Sequence, residues 1–137
     1  MKTGKEIQHD FYLLLKGSSL LQVVSGGLYK AGHRPHGSRE EDIVVVFTTS
    51  TAEQVQEGVV TIRIYVPDID PYDSGVLEED GFRAMELERA AQDWFDNMSR
   101  SEAPMRLRLQ GAVETLEDYE TKQHYVSMRI RFNYLNN

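Results

Sequence analysis

A chain of 137 residues suits one domain built around one hydrophobic core. Its formal charge of −7, from 22 acids against 15 bases, argues against a general duplex-DNA binder, which needs a basic surface to neutralise phosphates. The absence of cysteine excludes disulfides, thiolate metal sites and cysteine nucleophiles, and the apolar runs, such as IVVVF at 43–47, are far too short to span a membrane. The start MKTGKEIQHD has no apolar signal region, so folding in a cytoplasm is the expectation.

Residues 3–16 read as a helix, with Thr3 and Glu6 spaced as a capping box and Ile7, Phe11, Leu14 and Leu15 on one face. SSLLQVV at 18–24 can add one or two helical turns before Gly26 and Gly27. LYKAG at 28–32 is a short strand candidate, followed by the loop HRPHGSREED at 33–42. IVVVFTTS at 43–50 has the β-branched run of a strand buried on both faces. TAEQVQEG at 51–58 is polar, a turn or an extended arm. VVTIRIYVP at 59–67 alternates, with Val60, Ile62, Ile64 and Val66 on one side and Thr61, Arg63 and Tyr65 on the other.

An acidic loop at 68–80 leads into a long helix predicted over about 78–99, with Ala84, Leu87, Ala91, Trp94, Phe95 and Met98 as its apolar stripe. Pro104 separates it from a strand predicted over 105–116. EDYETKQ at 117–123 contains or adjoins a turn. The last strand, 124–135, points Val126, Met128, Ile130, Phe132 and Tyr134 one way and Ser127, Arg129, Arg131 and Asn133 the other. The order α-β-β-β-α-β-β predicts a single α+β domain over 1–137, a mostly antiparallel sheet with two helices on one face.

Four features bear on function. His33 and His36 flank Arg34 and Pro35, but two histidines separated by a proline do not make the three or four convergent ligands of a metal site. They read as exposed loop residues, and no metal is expected. Asp68, Asp70, Asp73, Glu78, Glu79 and Asp80 lie close together without a base, yet miss the calcium-loop spacing. They read as a solvated loop with acids at a helix start, where the dipole favours them. Arg63, Arg106, Arg108, Arg129 and Arg131 all fall on polar positions of alternating strands, so paired strands would gather five guanidinium groups on the face away from the helices. That face is either solvated beside cross-strand acids or a docking surface for acidic groups. Finally, no nucleophile elbow, phosphate-cradling glycine loop or dinucleotide fingerprint is present, so neither enzymatic activity nor a cofactor is expected.

The order of elements (an N-terminal helix, a short strand, a two-strand hairpin, a long helix and a final hairpin) and two runs, LYKAGHRPHGSREEDIVV at 28–45 and VVTIRIYVPDID at 59–70, resemble the tail terminators, small tail-completion proteins of long-tailed bacteriophages. The chain is especially similar to versions from phages and prophages of gut Bacteroides-type bacteria. The resemblance implies a virion assembly role without catalysis. Such proteins form a ring, usually of six copies, that caps the tail-tube protein, stops tube growth and meets the head-completion proteins, with DNA only as passing cargo. It implies assembly in a bacterial cytoplasm, a place at the head–tail junction of the virion, and no membrane partner. On this reading Arg34, Arg39 and the five strand arginines meet a neighbouring copy or the tube, with Asp68, Asp70 and Asp73 as complementary acids. The alternative is a nucleic-acid-binding module that uses the arginine face with Tyr65, Tyr119 and Tyr125 nearby to hold single strands. A small metal-dependent hydrolase built on His33, His36 and acids of 68–80 is the third reading.

Overall fold

Thr3 opens the first helix as its spacing predicts. In the computed structural model, which describes residues 1–99 and 105–135, its hydroxyl accepts from the Glu6 N–H and the Glu6 carboxylate accepts from the Thr3 N–H. Helix α1 runs Gly4–Leu15 and turns Ile7, Phe11 and Leu15 inward. Ser18 then caps the short α2, Ser19–Val23. Strands β1 (Leu28–Lys30), β2 (Ile43–Ser50) and β3 (Val55–Pro67) follow. Helix α3 spans Gly81–Met98, and β4 (Arg106–Leu109), β5 (Glu114–Asp118) and β6 (Gln123–Leu135) complete the chain.

The α+β fold is as the sequence predicts: one six-stranded sheet in the order β1-β2-β3-β6-β4, with β5 also on β6. Among the described residues only β1–β2 is parallel. Its centre is the antiparallel pair of β3 and β6, in register from Val55↔Leu135 to Pro67↔Gln123. The alternating apolar sets meet there, Val60 against Ile130, Ile62 against Met128 and Ile64 against Val126. They join Ile7, Phe11, Leu87, Ala91, Trp94 and Phe95 in a core between the sheet and one layer of helices. Full burial of side chains such as Phe11 and Phe132 contributes about 1.5–3 kcal/mol each.

Three element boundaries depart from expectation. The strand predicted at 105–116 is two strands, because residues 110–113 bulge out from β6 where only Met128 and Arg129 lie opposite. Gly111, at φ +79°, takes the left-handed turn that the bulge needs. The bulge adds an even number of residues, so the face alternation carries through it. Strand β3 begins at Val55, inside the stretch read as a turn or arm. Gln56 holds an inward position there, and its amide accepts from the Lys2 N–H (3.1 Å) and donates to the Lys2 carbonyl (2.8 Å), replacing apolar packing by a strand-like pairing. Helix α3 starts at Gly81 and not near 78, because Glu78 exchanges backbone hydrogen bonds with Ile69, leaving Asp80 to cap the helix. The break expected at Pro104 lies outside the described residues.

Candidate functional site

The loop 31–42 carries the chain from β1 to the parallel β2, and it is fastened to the sheet face away from the helices. Arg34 makes the fastening. Its guanidinium stacks 3.8 Å from the centre of the Tyr65 ring, and Tyr65 packs on Tyr125 at 5.7 Å. Arg63 covers Tyr125 at 4.8 Å, so two arginines and two tyrosines, their rings tilted at 44°, form one contiguous cluster. Arg34 also donates to the Asp42 carboxylate (2.8 Å), to the Ser38 and Glu40 carbonyls, and to Gln123 Oε1 (3.0 Å).

Asp42 is the buried anchor of this loop, at 1% exposure. Burial pushes its carboxyl up, but hydrogen bonds from Ser38, Arg34 and the Gly27 N–H outweigh that and hold it below the ordinary range. Its neighbour Glu41 binds Arg83 through both carboxylate oxygens, at 2.7 and 2.9 Å. That pairing, helped by the Ser25 N–H, lowers the Glu41 carboxyl although burial opposes it. Arg83 also donates to the Val23 carbonyl, so one side chain ties α2, α3 and the loop together. Gly26 is required at this crossing: a Cβ there would sit 2.2 Å from Asp42 Oδ1 and 2.8 Å from the Glu41 carbonyl.

The histidines between these anchors are exposed. His36 borders a shallow cavity with Arg39 and Thr121, and among the described residues no group of three or more His, Asp or Glu could hold a metal ion. No helix among the described residues is long and apolar enough to cross a membrane.

Strand register brings the five predicted arginines to one face. Arg63 lies beside Ser127, Arg129 beside Thr61, Arg131 between Val59 and Arg108, and Arg106 beside Asn133. Their partners differ. Arg63 is taken up by Tyr125. Arg129 comes within 3.9 Å of Glu114, and Arg131 donates to Gln110 (3.0 Å). Arg106 and Arg108 have no hydrogen-bonded or ionic partner among the described residues. Arg34, read from sequence as a contact residue, is committed within the chain, while Arg39 is exposed and reaches only the Asp68 carbonyl (3.4 Å).

The acidic loop 68–80 is built rather than loose. Asp68 accepts from or pairs with His124 Nδ1 at 2.7 Å, an internal contact. Asp70 accepts from the Ser74 and Gly75 N–H groups and closes a tight turn. Asp73 sits exposed at φ +52°. Of the three acids proposed to meet another subunit, Asp73 is therefore the one left to solvent. Sequence reading missed what surrounds it. Tyr72, Val76 and Leu77 in the loop, and Phe82 and Met85 on the first turns of α3, are exposed, Phe82 at 80%. Their signal was available as apolar residues out of phase with the helix stripe Ala84, Leu87 and Ala91.

The chain matches no protein-family model and no curated protein.

Proposed function

We propose that this chain is a non-enzymatic phage assembly protein of the tail-terminator kind, forming a ring that caps the tail tube and joins it to the head-completion proteins. The observation that carries the reading is that one domain exposes two unlike surfaces. One is the sheet face with Arg106, Arg108 and Arg129. The other is the stretch from Tyr72 to Met85, where exposed apolar side chains stand among acids. Exposed apolar groups rimmed by charge mark protein contacts. Closed rings arise when two different patches of one protein meet head to tail, and opposite charge sets their register. A net charge of −7 also suits a ring through which DNA passes without adhering. The resemblance supplies the ring of six copies, the partners (tail-tube and head-completion proteins), the virion location and the bacterial cytoplasm as the place of assembly.

The covering of Tyr65 by Arg34 favours this reading over the nucleic-acid module. A buried ring under a guanidinium offers no face to a base, which leaves the exposed Tyr119 as the stacking platform among the three tyrosines of that reading. Light scattering of the protein alone and with a tail-tube protein tests the proposal. Arg129→Glu with Arg131→Glu should leave a folded monomer and abolish the oligomer; unchanged assembly would remove the arginine face from the interface.

A further inference from the structure

At the end of the arginine face nearest the β4 edge, Arg106, Arg108, Arg131 and Asn133 line a pocket of about 350 Å³, with Leu107 and Glu57 completing its border. Strand pairing sets Arg108 directly opposite Arg131, an arrangement that repels unless an anion lies between the two. No carboxylate among the described residues forms an ion pair with Arg106, Arg108 or Arg131. Arg131 uses Nη1 on Gln110, but its Nε is buried with no partner, and so is Asn133 Oδ1 across from Arg106. Buried polar atoms without partners are rare in folded proteins, and two in one pocket point to a missing ligand.

We propose that this pocket is a binding site for a compact oxyanion of the phosphate class. Three guanidinium groups against the single Glu57 carboxylate leave two positive charges, the complement of a dianion. Guanidinium forks match tetrahedral oxyanions in a bidentate way that a single ammonium does not. Charge-assisted hydrogen bonds to the Arg131 Nε–H would satisfy the buried donor, and the Asn133 side-chain amide, turned about its axis, would donate to another oxygen. All of these groups lie within one chain, so the site needs no second copy to be complete.

Titration calorimetry with inorganic phosphate in chloride buffer, near pH 8 where phosphates are doubly charged, tests it. The expected result is one saturable site per chain with a dissociation constant of about 1 mM or tighter. Arg106→Gln and Arg108→Gln each change an exposed side chain and should fold normally. Each should weaken binding roughly tenfold, while Arg89→Gln on the exposed side of α3 should change it less than about twofold. Failure to saturate by about 10 mM overturns the proposal. So does equal weakening by Arg89→Gln, which would mean diffuse charge. A single-stranded oligonucleotide is the second arm. Binding much tighter than phosphate, with a salt slope of several charges, would replace a compact site by a nucleic-acid track and also overturn the proposal.

Discussion

Replacing Asp42 by asparagine removes one charge without changing the shape of the side chain, and so asks how much the anchor of the 31–42 loop contributes. The carboxylate accepts from Arg34 Nε at 2.8 Å, from the Gly27 N–H at 3.0 Å and from the Ser38 hydroxyl. Breaking a buried ion pair costs about 3–5 kcal/mol because the remaining charge stays buried. Arg34 keeps three other acceptors and a 14% exposed side chain, which places the loss at the lower end, about 3 kcal/mol. A domain of this size holds about 5–15 kcal/mol in total, so the variant should still fold. Urea unfolding followed by circular dichroism should show the midpoint falling by about 1.5 M, for a slope near 2 kcal/mol/M. Arg34→Met in the same background supplies the cycle. The double variant should lose less than the sum of the singles, by about 1.5–3 kcal/mol. A loss under about 1 kcal/mol for Asp42→Asn, or strict additivity of the two losses, would refute the claim that this pair pins the loop.

Acid should unfold the protein through the same residues. Glu41 and Asp42 have folded-state pKa values below their ordinary range, so their contribution is complete above the ordinary carboxylate pKa and is lost as pH falls through the lowered values. Stability measured against pH should therefore drop below about pH 4, and Asp42→Asn should flatten that drop. His33→Ala and His36→Ala should each change stability by less than about 0.5 kcal/mol in thermal melts, because both side chains are exposed. Gly58→Ala should destabilise by roughly 1–3 kcal/mol or more: a Cβ would fall 2.0 Å from the Thr49 carbonyl oxygen and 2.7 Å from the Phe132 ring, where the β2–β3 register shifts.

Strong periodicity made most of this fold legible. The alternation in 59–67 and 124–135 placed both central strands and their faces, and the same alternation put five arginines on one side of the sheet before any register was known. What periodicity could not show was pairing that depends on single polar side chains. Gln56 reads as a loop residue by composition, yet its amide binds both backbone groups of Lys2 and carries β3 four residues further back. Asp42 ends the charged run of the 33–42 loop, and its burial follows from Arg34 arriving eight residues away. Arg34, expected to meet a neighbouring copy or the tube, instead binds Asp42 within the chain, as Arg83 binds Glu41. The exposed Phe82 and Met85 lie off the regular stripe of α3, whose period marks only the buried face.

The central claim is that this chain assembles through two unlike surfaces of its own. Light scattering combined with negative-stain imaging tests it most directly, on the purified protein alone and with a tail-tube protein. The account predicts closed rings, alone or on the tube end, that are lost in the Arg129→Glu, Arg131→Glu variant while its circular dichroism is unchanged. A strict monomer at high concentration that also ignores tube protein would contradict it.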